Sequence, residues 1–430
     1  MKVKGLRWWI ISLICLATVI NYIDRTAFGV MWPEMGKDLG MDESDYAIML
    51  NVFMITYALG KFLSGKLYDI IGTRMGGFTV SIVVWSVASI FHAFARGLVS
   101  LTLFRALLGL GEAGNWPGAV KSNGEWFPVK QRAIAQGIFN AGASLGSVIA
   151  PVLIAYLYGH FGWRTTFIII GAIGLLWVIP WLFINKTTPE THPWITDEER
   201  NLIMNSRTEA IASVEVKKEK EKGLSVLQIL SYKESWGGVL ASRFFIEPIW
   251  WLFVGWMPLY LHSKFGFSIA EIGSTIWISY LGGMAGSLIG GWYSGKLMET
   301  KTVDAARKIT ITIGCSLIFL GLLGIIFLVT EKNPMTFIYI VSVVLFGFQF
   351  AIGNIQTISS DLLRGPSVGT LAGLAGTVAA FSVIIMNTLI PLIAEVSYTP
   401  AFVVIAVLAP MAVLSIFILI RKIEQVEKIN

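Results

Sequence analysis

Cysteine is nearly absent from this chain. Cys15 and Cys315 lie far apart, each inside an apolar run, which leaves no basis for a disulfide framework or a metal site. Histidine is scarce too. His92, His160, His192 and His262 fall at the edges of apolar runs, so a relay of imidazoles carrying protons through an interior is not expected. No metal-ligand cluster, phosphate-cradling loop or nucleophile-with-base arrangement is present, which argues against an enzyme. Charge is also thin, at 14% of the 430 residues against 55% hydrophobic, and a water-soluble fold cannot hide that much apolar surface. The net charge of +6 does not point to nucleic acid, because the basic residues sit in short turns between apolar runs rather than on one face.

What fills the chain is one apolar stretch after another, each near the ~20 residues that cross a hydrocarbon core. Six run from about Trp8 to Val30, Tyr46 to Leu67, Phe78 to Ala95, Leu98 to Val120, Ala133 to Tyr158 and Thr166 to Ile184. Six more run from about Gly237 to Leu261, Ile272 to Gly295, Ile309 to Val329, Met335 to Ser359, Val368 to Ile393 and Ala401 to Ile420. Lys2, Lys4 and Arg7 ahead of the first mimic a secretion signal, but the run continues to Val30 without a small-residue cleavage site and reads as a retained helix. The expectation is an all-α polytopic membrane protein of twelve transmembrane helices. Residues 1–185 form one six-helix bundle, 186–235 a cytoplasmic linker with an amphipathic helix, and 236–430 a second six-helix bundle.

Lysine and arginine crowd alternate connections, among them Lys66 and Arg74, Lys121 to Arg132, Lys186 to Lys233, and Lys296 to Lys308. By the positive-inside rule both termini and the linker are cytoplasmic, and the Met35 to Asp45 loop is external. Within the linker, Thr196 ahead of Asp197-Glu198-Glu199 is a capped, acidic helix start. Leu224, Leu227, Ile229 and Leu230 suit an interfacial helix. The two bundles also share a repeat. Gly65-Lys66-Leu67-Tyr68-Asp69-Ile70-Ile71-Gly72-Thr73-Arg74 follows the second span and Gly291-Trp292-Tyr293-Ser294-Gly295-Lys296 the eighth, an offset of 226 residues from Gly65 to Gly291. Repeated halves with a site at their midplane are how secondary transporters are built.

An ionisable group inside a span is costly, so each one marks a candidate site. Asp24 and Arg25 in the first span are about 100° apart around the helix and cannot face one point. Arg25 shares a stripe with Asn21 and Tyr22, as a cavity wall would. A guanidinium is permanently charged and grips a carboxylate through two parallel hydrogen bonds. In the fourth span Arg105 and Glu112 lie on one face about 10 Å apart in depth. Arg105 then comes near the height of Asp24, where the two can pair, and Glu112 stands deeper and apart. Lys61 reads as a stem snorkelling to the interface, and Arg243 with Glu247, at i,i+4, as a self-satisfying pair. Asn354, Gln356 and their neighbours offer neutral groups suited to hydroxyls, or polar glue between helices.

These residues also carry a resemblance. Asn21-Tyr22-Ile23-Asp24-Arg25, then Arg105-Ala106-Leu107-Leu108-Gly109-Leu110-Gly111-Glu112-Ala113-Gly114-Asn115-Trp116-Pro117, then Glu125-Trp126-Phe127-Pro128 resemble the anion:cation symporter family of the major facilitator superfamily. Gly65, Asp69, Gly72 and Arg74 match that superfamily's loop signature, whereas the second copy has Gly295 where Asp would stand. Arg243 to Trp251 with Trp256 to Tyr260 looks most like the bacterial hexuronate transporters.

The resemblance implies the major facilitator fold of two pseudo-symmetric bundles in a bacterial-type inner membrane. It also implies proton-driven import of a small organic anion, such as the sugar acid hexuronate, by alternating access. It assigns the carboxylate to Arg25, protons to Asp24 and Glu112 with Arg105 as charge partner, and the cavity to Tyr22 and Tyr57. A Gln of some galactonate-type relatives is replaced by Ala143, beside Asn140. Asn140, Asn354 and Gln356 complete the candidate substrate contacts, and Gly65, Asp69, Gly72 and Arg74 form a gating motif. No cofactor is expected beyond protons as the coupling ion. The expected partners are a small carboxylate substrate and membrane lipids, with no nucleic acid and the protein a monomer. Two other readings are an organophosphate antiporter, suggested by Lys61, and a non-transporting sugar-acid sensor, which would bind without uptake.

Overall fold

The computed structural model describes residues 2–128, 131–216, 225–363, 366–394 and 397–424. Side chains are described for these except at 62, 65–67, 69, 75–76, 132–134, 207–216, 237, 366 and 369. The chain divides into two compact units, Met1–Lys220 and Glu221–Asn430. The first contains α1 (Leu6–Leu39), α2 (Glu43–Ile71), a π-helical segment (Gly72–Thr79), α3 (Val80–His92), α4 (Leu98–Glu112), α5 (Asn115–Trp126), α6 (Arg132–Ile184) and α7 (Asp197–Val216). The second contains α8 (Val226–Ser231), a π-helical segment (Glu234–Leu240), α9 (Ala241–Phe265), α10 (Ile269–Met298), α11 (Val303–Leu328), α12 (Pro334–Leu362), α13 (Pro366–Ala394) and α14 (Thr399–Leu419).

Among the described residues nine helices are long and apolar enough to cross a membrane. One of them lies in α6, a 53-residue rod broken at Gly162, whose φ of 70° only glycine adopts readily. Counting α6 as two rods, and adding α2 and the α4–α5 pair, gives six rods in each unit. The expected fourth span is not one helix. Pro117 has no N–H for the carbonyl of Ala113 and its ring crowds that carbonyl, so α4 stops at Glu112 and α5 begins at Asn115. The first span also runs past Val30 to Leu39, where Gly40 closes it at φ 65°.

Small residues bring the rods of the first unit together beside the candidate site. A Cβ on Gly146 of α6 would lie 2.9 Å from the Val19 carbonyl oxygen of α1, and one on Gly109 of α4 would lie 2.7 Å from the Phe53 carbonyl oxygen of α2. Backbones that close leave no room for a side chain, and they hold Tyr22 and Tyr57 near α6 and α4.

The start of the expected linker is clasped to the N-terminus. Val3 N–H donates to the Trp194 carbonyl at 2.7 Å and Lys2 Nζ to the Ile195 carbonyl at 2.8 Å. Glu199 takes hydrogen bonds from the backbone N–H groups of Leu6 and Arg7, at 3.0 and 3.2 Å, and from Arg7 Nη1 at 2.6 Å. The first N–H groups of a helix have no partner inside it, and a carboxylate satisfies both their hydrogen bonds and the dipole. Thr196 Oγ1 accepts from Glu199 N–H at 3.3 Å, as a capped start requires. Burial holds the nearby His192 imidazole below its usual range. Leu224 lies outside the described residues; in α8, Ile229 is buried and Leu227 exposed.

Candidate functional site

Polar residues of α1, α2 and α4 meet inside the first unit. Arg25 extends from α1 to Glu112 of α4, with Nη2 2.7 Å and Nε 3.1 Å from Oε2. The pair is almost wholly buried, at 7% and 0% side-chain exposure. Arg25 Nη2 also lies 3.5 Å from Asn21 Oδ1, one turn back on the same stripe. The guanidinium carbon sits 5.2 Å from the ring of Tyr22, 5.5 Å from Phe53 and 5.0 Å from Tyr57. Three aromatic faces thus box one cation, which favours its charge while keeping water thin. Lys61, exposed on α2, adds a second cation 4.4 Å from the Tyr57 ring.

The expected partnership of Asp24 with Arg105, leaving Glu112 apart, is not what forms. Glu112 is level with Arg25, and Arg105 lies about two turns away along α4, against α1 at Phe28. Its guanidinium is 4.3 Å from the Phe28 ring and 4.7 Å from Phe53, and its Nε and Nη1 have no hydrogen-bond partner. Both carboxyl oxygens of Asp24 are buried, with the Ser89 hydroxyl and the Arg105 charge as their polar neighbours. The cause is rotation: Phe28, one turn beyond Asp24 on the same face of α1, takes the face of Arg105.

His92 ends α3, at the edge the sequence gives it. It is fully buried against Phe28, Phe104 and Phe167, with Nδ1 2.7 Å from the Ala88 carbonyl. Phe53, Asn115 and Thr18 belong to this neighbourhood as well, Asn115 Nδ2 donating to Thr18 Oγ1 at 3.1 Å. The stripe Phe53, Tyr57, Lys61 on α2 is the sequence signal for Phe53.

Other candidates fall elsewhere. Asn140 is exposed on α6 and accepts from Gln136 Nε2 of the same helix at 3.2 Å. Asn354 is bonded to protein within its own unit. Its Oδ1 accepts from Arg307 Nη1 at 2.9 Å and its Nδ2 donates to the Phe350 carbonyl at 3.3 Å, which engages both ends of a buried amide. Arg307 further holds Asp361 Oδ2 at 3.0 Å. Gln356 is exposed and faces a cavity with Arg243 and Ser359. Arg243 and Glu247 do pair, at 3.0 Å.

In the loop signature, Gly65 lies within α2 and Gly72, at φ 74°, ends it. The side chain of Asp69 lies outside the described residues. Arg74 Nη2 donates to the Leu182 carbonyl at 3.4 Å, and Thr73 Oγ1 meets Glu125 at 2.7 Å, tying this corner to α6 and α5.

Similarity runs the length of the chain. A family model described as Major Facilitator Superfamily matches residues 14–387. The hexuronate transporter of Escherichia coli K12 is 31% identical over 99% of this chain and 96% of its own length. The galacturonate transporter of Dickeya chrysanthemi is 30% identical over 74% of this chain and 90% of its own. Among solved structures, the inward-facing, occupied form of a bacterial homologue of the human lysosomal transporter Spinster aligns with TM-score 0.68 at 17% identity, covering 97% of this chain and 96% of that one. With a family model across most of its length, full-length relatives that are transporters, and helical rods of spanning length in both units, this multi-pass membrane chain belongs to the major facilitator superfamily.

Proposed function

We propose that the protein is a proton-coupled symporter that imports a sugar acid, such as a hexuronate, by alternating access. The Arg25–Glu112 pair carries this reading: one permanently charged guanidinium held at 2.7 Å by one buried carboxylate. A substrate carboxylate and Glu112 compete for the same donors. A proton on Glu112 removes its charge and frees the guanidinium, so anion and proton each favour the binding of the other, as linkage requires. Tyr22 and Tyr57 flank the grip, and Asp24, buried beside Ser89 and Arg105, is the second proton carrier. The substrates printed for the relatives, hexuronate and galacturonate, support the class.

Binding of D-glucuronate to purified protein in weakly buffered solution should draw protons from the medium, and binding to Glu112→Gln should draw fewer. Binding without proton uptake in the parent removes the coupling. The membrane is a bacterial-type inner membrane with both termini cytoplasmic, as the basic loops require. A cysteine placed at exposed Thr188, in a background lacking Cys15 and Cys315, should then react only from the cytoplasmic side. Labelling from outside inverts the orientation.

A further inference from the structure

The Glu221–Asn430 unit holds a cavity of its own, about 230 Å³, walled by Arg243, Gln356 and Ser359 on its polar side and Val239, Ile355 and Ala375 on its apolar side. Arg243, in the first turn of α9, is 8% exposed. Its Nη2 lies 3.0 Å from Glu247 Oε2, whereas Nη1 is buried and has no hydrogen-bond partner. Among the described residues of this unit, partly buried Arg307 is held by Asp361, Asn354 and Ser294, and buried Lys308 by Asp304 and the Arg421 carbonyl. A buried guanidinium with one arm unbonded is costly unless something from outside the chain completes it. The cavity has room for more than a single water, whose share of liquid volume is about 30 Å³.

We propose that this cavity is a second anion site, taking a small carboxylate on Arg243 Nη1 with Gln356 and Ser359 at its remaining oxygens or hydroxyls. Its chemical class rests on the sugar-acid reading above; its existence rests on Arg243 and the cavity alone. Glu247 occupies the other arm, so the empty site is a neutral pair and the filled one carries net negative charge. That balance makes it a weak site from which an anion leaves readily, a transient stop rather than the main grip. The permanent partner also separates it from Arg25, whose carboxylate must let go before substrate binds.

Equilibrium binding of radiolabelled D-glucuronate to the full-length purified protein tests it, in the parent and in Arg25→Lys, Arg243→Gln and Gln356→Leu. Radiolabelled acetate serves as a second probe. The parent should show two components and Arg25→Lys should retain the weaker one. Arg243→Gln should weaken that component by about ten- to a hundredfold, the worth of a charge-assisted hydrogen bond. Gln356→Leu should weaken it less and, with an exposed side chain, carries the test if Arg243→Gln does not fold. Glucuronate binding in one component, lost in Arg25→Lys and indifferent to the other two variants, overturns the second site and leaves the sugar-acid reading standing. Arg243-dependent acetate binding with no glucuronate binding keeps the site and overturns the substrate class.

Discussion

Arg25→Lys is expected to lose most transport although the positive charge stays. In the parent, Nε and Nη2 both converge on Glu112 Oε2, at 3.1 and 2.7 Å, and this fork is the surface offered to a substrate carboxylate. An ammonium presents a point charge with no planar fork, and it cannot lie flat among the rings of Tyr22, Phe53 and Tyr57. One charge-assisted hydrogen bond is worth roughly 1.5–3 kcal/mol, so affinity should fall about ten- to a hundredfold. Initial rates of D-glucuronate uptake across a concentration series measure it. Undiminished uptake in Arg25→Lys takes Arg25 out of the site.

Glu112→Gln is expected to separate exchange from accumulation. The amide has nearly the shape of a protonated carboxyl, so the loaded carrier should still cross and counterflow of internal for external substrate should persist. The empty carrier is different. It resets with Glu112 ionised and bound to Arg25, and a glutamine leaves that guanidinium in a buried site without a counter-charge, a defect of several kcal/mol. Concentrative uptake should therefore collapse while counterflow survives. Asp24→Asn tests the second carboxyl, and because it removes the negative charge near buried Arg105, its folding is checked alongside its transport. If both variants accumulate substrate as the parent does, neither carboxyl carries the coupled proton.

The long rods were legible because an apolar run of spanning length has one reading in lipid, where backbone groups must be satisfied within the helix. The break before Asn115 was equally legible, since Pro117 stands in the sequence, yet apolar content alone reads straight through it. The pairing of Arg25 with Glu112 was not legible. Spacing along α1 and α4 yields depth and angle within each helix, but which side chains meet depends on how one helix is turned and shifted against the next. That register is set by close contacts such as Gly109 against Phe53, formed between residues distant in sequence. The burial of His92 was not legible for a related reason: its place at the end of α3 is local, whereas Phe167 of α6, which covers it, is not. Asn354 reads from sequence as either a cavity group or polar glue, because Arg307, which binds it, belongs to a different helix. The clasp of Glu199 on the first turn of α1 joins segments that composition treats as unrelated termini and linker.

Proton coupling to sugar-acid movement is tested most directly in proteoliposomes containing only this protein. With the interior made alkaline, radiolabelled D-glucuronate or D-galacturonate should accumulate above its external concentration, the lumen should acidify in step, and a protonophore should abolish both. Uptake that stops at equal concentrations on the two sides, whatever the imposed pH difference, would contradict the mechanism.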